Sequence, residues 1–226
     1  MNNYITKLFD FFLPRICPGC NKKLLVKEEP VCENCLSSIL IADQIRLEDE
    51  YAKNFASSHI IKDLYSRYVF ETDKTLQQII HALKYKSQFK LGVYLGKILS
   101  EGIKLRDWQI DLIVPVPIHH LKKAERGYNQ SDYIVKGLSK ALNIPYSTKL
   151  IKRTKFTDSQ TKLKMKERAL NVANAFKVKS KEKVSGKNIL IVDDVCTTGA
   201  TLLECGKVLI SSGAGLVYAC TIAVAE

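Results

Sequence analysis

Apolar residues fall into two rhythms along this chain. In DKTLQQIIHALKYK (73–86) and LGVYLGKILSEGIKLR (91–106) they recur three and four apart, which predicts two helices with one buried face each. Elsewhere they form short unbroken runs. DLIVPVP (111–117), closed by prolines, and NILIVDD (188–194) read as strands buried on both sides, and GLVYACTIAVA (215–225) as a last one. Between them, IHHLKKAERGYNQSDYIVKGLSKAL (118–142) reads as a basic loop running into a helix from about Tyr128, and a second crossover ends at AFKVK (175–179). Strand, helix, strand, helix is the order of a parallel sheet covered on both faces, so the predicted fold class is α/β with a parallel sheet flanked by helices. No repeat or low-complexity segment interrupts it, and no GK[ST] loop suggests an ATPase.

The sharpest feature is ILIVDDVCTTGAT, Ile189 to Thr201, where an apolar run stops at two aspartates and TLLECGKVLI continues at helical spacing. Open α/β sheets bind ligands at the carboxyl ends of their strands, where Asp193 and Asp194 are expected. The next few residues suit a phosphate. A helix amino terminus offers unpaired N–H groups and a positive dipole end, Thr197, Thr198 and Thr201 add hydroxyls, and Gly199 and Ala200 keep the backbone approachable. Two carboxylates beside a phosphate repel it unless sugar hydroxyls or a divalent cation lie between. A phosphorylated sugar with a metal satisfies that condition; an Asp-capped helix after an ordinary strand explains one carboxylate and not the second.

This stretch resembles the signature of type I phosphoribosyltransferases, which bind phosphoribosyl pyrophosphate (PRPP). The resemblance implies that Asp193 and Asp194 are the catalytic acids holding the ribose hydroxyls, and that Thr197, Thr198, Gly199, Ala200 and Thr201 hold the 5′-phosphate, with Mg2+ accompanying the PRPP. The loop after an early strand binds pyrophosphate in that family, which marks Lys122, Lys123 and Arg126 here.

Composition adds a second module and a charge asymmetry. The 226 residues suffice for an ordinary domain and a smaller one, with 46% hydrophobic and 26% charged side chains. CPGC and CENC place Cys17, Cys20, Cys32 and Cys35 in two turn-forming pairs, the spacing of a small zinc ribbon over residues 1–45 with a structural Zn2+; redox dithiols are the competing reading. Residues 46–226 would then be the phosphoribosyltransferase-like domain, with 46–110 a helical hood or linker and 111–226 the core. Cys196, Cys205 and Cys220 read as core or loop thiols.

Residues 119–187 hold 18 Lys and Arg against 5 Asp and Glu, whereas 1–40 hold 5 against 4, 41–118 hold 11 against 10, and 188–226 hold 1 against 4. The surplus of 13 lies just before the acidic motif and suits a polyanion-binding face, a lid over pyrophosphate, or a solvated helix face. No apolar run reaches the eighteen or so residues needed to span a bilayer, so no stable membrane insertion and no signal peptide are expected. The amphipathic YITKLFDFFLPRI (4–16) packs on its own domain, or touches a membrane surface or a partner.

In order, CPGC…CENC, HALKY, VPVPIHH…RGYNQ, KRTKFTDSQ…KERALNVANAF and ILIVDDVCTTGAT resemble the ComF family of bacterial late-competence proteins over nearly the whole chain. That resemblance marks Lys84, Tyr85, Arg126, Gly127, Asn129, Gln130, Arg153, Gln160, Arg168 and Asn171, with Ala124 and Glu125 departing from its pattern. It implies a cytoplasmic protein, soluble or peripheral at the inner face of the membrane. Its implied partners are PRPP, single-stranded DNA and DNA-uptake machinery such as a competence helicase. Lys162, Lys164 and Lys166 are the candidate DNA contacts. The other function carried forward is nucleobase salvage with a structural zinc module. Against one version of it, Thr197 stands two residues before the loop glycine, where purine-salvage relatives carry a proton-accepting acid, and no segment after the last strand forms a hood to select a base.

Overall fold

The computed structural model describes residues 14–25, 28–72, 74–155 and 173–225. The expectations attached to residues 4–13, Gln160, Lys162, Lys164, Lys166, Arg168 and Asn171 lie outside the described residues. The element order is α1 (Glu33–Ser37), α2 (Gln44–Asn54), a 3-10 turn (Ala56–Ser58), β1 (Leu64–Phe70), α3 (Thr75–Tyr85), α4 (Phe89–Ile103) and β2 (Leu112–Pro115). It continues with α5 (His120–Arg126), α6 (Gln130–Leu142), β3 (Ile151–Arg153), β4 (Phe176–Val178), β5 (Ile189–Cys196), α7 (Ala200–Ile210) and β6 (Val217–Ala225).

Four strands make one parallel sheet in the order β1-β6-β5-β2, and β3 and β4 form a separate antiparallel pair. β5 and β6 are the inner strands, which explains their unbroken apolar sequence: Ile189 to Val192 are fully buried, because both sheet faces are covered. Among the described residues no helix is long and apolar enough to cross a membrane.

Residues 46–110 do more than a hood or linker would. They supply β1, the edge strand beside β6, and α4, which packs along α6. LYSRYVF was hard to read as a strand because Ser66 and Arg67 interrupt it; Ser66 turns inward to hydrogen-bond the Thr221 hydroxyl of β6, and the backbone of residues 40–42 covers the outer edge, with Ala42 N–H donating to the Arg67 carbonyl at 3.1 Å. The α4–α6 contact depends on glycine. A methyl at Gly96 would collide with the Ile134 carbonyl, and one at Gly137 with the Val93 carbonyl, so the two backbones approach as only side-chain-free positions allow.

The stretch expected as a basic loop is itself helical. His119 Nδ1 accepts from Leu121 N–H at 3.3 Å to cap α5, Gly127 breaks it at φ 79°, and Asn129 starts α6 by accepting from Ser131 N–H at 3.4 Å.

Candidate functional site

The two aspartates sit within β5 rather than beyond it. β5 stays paired with β6 as far as Cys196, whereas β2 leaves it after Val192, whose carbonyl takes a last bond from Val116 N–H at 2.8 Å. It is therefore the neighbour that ends, and the β2 side of Asp193 and Asp194 is filled by the amino terminus of α6. Neighbouring strand residues point to opposite faces, so the two carboxylates meet different surroundings.

Asp194, 5% exposed, is engaged on both oxygens: its Oδ1 accepts from Val195 N–H at 2.7 Å, and its Oδ2 accepts from Gln130 Nε2 at 3.1 Å and from the Lys84 ammonium at 2.9 Å. Asp193 is engaged on one oxygen, Oδ1, by Ser131 Oγ at 3.2 Å and Asp194 N–H at 2.9 Å. Its Oδ2 has no hydrogen-bond partner among the described residues. Burial, and then the adjacent Asp194 charge, push Asp193 up to about 7, with Lys84 and Ser131 opposing them. Burial works against the Lys84 ammonium too, yet Asp194 outweighs it and leaves Lys84 above its ordinary value. Arg153, on β3, also acts electrostatically on Asp193.

Beyond β5 the chain turns through Thr197 and Thr198 into α7, with Gly199 at φ 64° as its N-cap. A side chain there would meet the Phe55 ring at 2.6 Å and Asn54 Cβ at 3.1 Å, so the loop rests on the end of α2 and its backbone is held open. Ala200 and Thr201 begin the helix, half-buried, and the N–H groups of such a first turn have no partner within the helix itself.

Of the three basic residues expected near this site, Arg126 is linked to it through described residues: Nη1 donates to Gln130 Oε1 at 3.2 Å, Nη2 to the Tyr85 hydroxyl at 3.3 Å, and the guanidinium lies 5.0 Å from the Tyr85 ring centre. Lys123 is exposed and its charge falls on Asp132; that of Lys122 falls on His119. Sequence patterning alone missed Lys84, Gln130 and Ser131, although the family resemblance marked the first two. The missed signal was a Gln-Ser pair opening a helix that follows a strand, which in this topology faces the ligand edge.

The cysteine sulfurs of residues 17, 20, 32 and 35 lie within 4.8 Å of one another, and Cys20 and Cys32 are 3.7 Å apart. A tetrahedron of four sulfurs about 2.3 Å from zinc has an edge of about 3.8 Å, so the cluster could hold such an ion. The second pair differs from the expected turn, since Cys32 is the N-cap of α1 and Cys35 lies within it. A helix start serves the same end by aiming N–H groups at sulfur. Burial opposes ionisation of Cys17, but N–H groups of Cys32, Gly19 and Cys20 converge on its sulfur and bring it down to about 7.

Residues 130–225 match the phosphoribosyl transferase domain family, which fits the observed parallel sheet, the acidic pair and the glycine-entered helix. The domain is thus of the type I phosphoribosyltransferase fold. Over 205 residues the chain is 32% identical to competence protein F of Haemophilus influenzae, covering 86% of this chain and 83% of that one. It is 29% identical over 199 residues to competence protein ComFC of Bacillus subtilis, covering 88% and 72%. With DNA utilization protein YhgH of Escherichia coli K12 it shares 32% over 151 residues, covering 63% and 64%. The chain belongs to the ComF family of competence proteins.

The raised Asp193 makes stability depend on pH. The folded state keeps a proton that the unfolded chain releases near pH 4, so this contribution is complete below about pH 4 and is lost as pH climbs to about 7. Urea midpoints should decline over that window, and Asp193→Asn should flatten the decline. An unchanged slope in the variant would show that Asp193 ionises freely.

Proposed function

We propose that this chain binds PRPP with Mg2+ at the carboxyl edge of β5 and acts in the uptake and cytoplasmic handling of single-stranded DNA during natural transformation. The carrying observation is the second oxygen of Asp193, without a partner among the described residues, beside a helix amino terminus entered through a left-handed glycine. On this reading Asp193 Oδ2 accepts from a ribose hydroxyl or meets a cation, Thr197 to Thr201 receive the 5′-phosphate, and Arg126, linked to Asp194 through Gln130, serves the pyrophosphate. Mg2+ would supply charge withdrawal from the departing pyrophosphate. The protein's share is positioning and electrostatic support, with no covalent nucleophile required. The relatives, two of them competence proteins and one a DNA utilization protein, support the DNA role.

PRPP with Mg2+ should raise the melting temperature, because a ligand of the folded state alone stabilises it by mass action. Asp193→Asn combined with Asp194→Asn should abolish the shift. A double variant that responds like the parent defeats the assignment.

We further propose that the four-cysteine cluster holds one structural Zn2+. Elemental analysis should return one equivalent per chain, and Cys32→Ser should lose both the metal and the order of residues 14–45. A folded, metal-free preparation would contradict it.

The basic surplus of residues 119–187 is proposed to bind single strands with little sequence preference, so affinity should drop steeply with salt. Neutralising Lys162, Lys164 and Lys166 together should flatten that dependence and leave PRPP affinity nearly intact. Absence of DNA binding at low salt, or a triple variant indistinguishable from the parent, removes the direct DNA role.

A further inference from the structure

Lys84 lies on α3, ahead of the residues that match the phosphoribosyl transferase family, and the reading above gives it no task. Its surroundings are unusual for a structural lysine. One ammonium proton is directed at Asp194 Oδ2, 2.9 Å away, while the side chain remains 26% exposed at the opening of the site. An ammonium has three donors, and no further hydrogen bond engages it among the described residues.

A second cation shares that opening. Arg126 is close enough to repel Lys84 electrostatically. Each of its Nη atoms gives one N–H, to Gln130 and to Tyr85, and keeps a second, while its Nε is buried with no partner among the described residues. Both side chains are tied into one network, since Gln130 accepts from Arg126 and donates to the same Asp194 oxygen that Lys84 contacts. Lys84 and Arg126 bring two positive charges against the one carboxylate in contact, Asp194, so an anion such as a pyrophosphate group relieves the excess and takes up the unspent donors. Asp194 is meanwhile engaged on both oxygens, Oδ1 by Val195 N–H and Oδ2 by Gln130 and Lys84, whereas Asp193 Oδ2 has no hydrogen-bond partner among the described residues.

We propose that the acidic pair is divided in its work: Asp193 meets the ribose, whereas Asp194 anchors Lys84, which with Arg126 binds the pyrophosphate group of the ligand. This rests on the PRPP reading of the site and adds a binding residue from outside the family-matched segment. Lys84 touches the ligand; Asp194 and Gln130 are positioning residues that aim it.

Titration calorimetry of the full chain with Mg2+-pyrophosphate and, separately, ribose 5-phosphate tests it. Lys84→Met should weaken pyrophosphate by about tenfold or more, the loss of one charge-assisted contact, and change ribose 5-phosphate by less than about twofold. Equal loss of both ligands would show that Lys84 only holds Asp194 in shape, and no loss of either would show that it faces no ligand; each overturns the proposal. Lys84→Met leaves a buried carboxylate without its cation, so the variant Lys84→Met with Asp194→Asn, which removes both charges, serves if the single one does not fold. It should keep ribose 5-phosphate and lose pyrophosphate, and the reverse pattern or parental pyrophosphate binding refutes the division. A parent that binds neither PRPP nor ribose 5-phosphate overturns the PRPP reading itself, and this inference with it; a parent that binds both, with Lys84→Met unchanged, overturns this inference alone.

Discussion

An ionised carboxylate inside a sheet requires a cation at contact distance, and for Asp194 that cation is Lys84 at 2.9 Å. Removing one partner of such a pair costs about 3–5 kcal/mol, because the other charge is left buried and alone. The bond therefore fixes three separate pieces of chain at one point: α3 through Lys84, α6 through Gln130 and β5 through Asp194. Asp193, one residue earlier and on the other face, has no such cation in contact among the described residues. Burial, and then the adjacent Asp194 charge, raise its pKa. Adjacent residues of one type thus acquire different chemistry from the two faces of a single strand.

That meeting point is precise only if α6 cannot slide, and the glycines of the α4–α6 contact prevent sliding. With Gly92, Gly96 and Gly137 at the crossing, the backbones interlock, and the side chains of Leu91, Leu95, Ile134 and Leu138 are almost fully buried around them. α6 then presents Asn129, Gln130 and Ser131, all 4% exposed or less, at its amino terminus. Buried polar side chains are tolerated only when bonded, and each is: Asn129 to the Val116 carbonyl and Asp132, Gln130 to Asp194, Ser131 to Asp193. These bonds hold the amino terminus of α6 against the end of β5.

How much of this was legible in the sequence follows from the range of the interactions. β2, β5, β6, α3 and α4 were readable because their apolar periodicity reports burial directly. The acidic pair and its loop were readable because phosphate and sugar chemistry demand those residue types side by side. β1 was not, since Ser66 breaks its apolar run and finds its partner in Thr221 of β6, a contact that no local pattern encodes. α2 escaped too: its exposed face is polar and its buried face is short, with Leu47 and Glu50 inside. Its importance appears only where Asn54 and Phe55 close on Gly199, about 150 residues downstream. Lys84 reads as an ordinary charge ending an amphipathic helix until the sheet brings Asp194 to it.

The cysteine cluster is joined to this arrangement by the same helix that carries Lys84. Gly19, in the turn between Cys17 and Cys20, is so tightly packed that an added methyl would stand 2.8 Å from Thr75 Cγ2 and 2.9 Å from Cys35 Sγ. Thr75 is the first residue of α3, and Lys84 lies nine residues on, about 14 Å along a helical rise of about 1.5 Å per residue. Between them Leu76, Ile79, Ile80 and Leu83 are 3% exposed or less, which seats the helix against the domain along its length. The turn that carries Cys17 and Cys20 thus packs on the first residue of the helix whose last turn carries Lys84. The cysteine module and the acidic pair meet opposite ends of one buried helix, Thr75 at one and the Lys84 contact with Asp194 at the other.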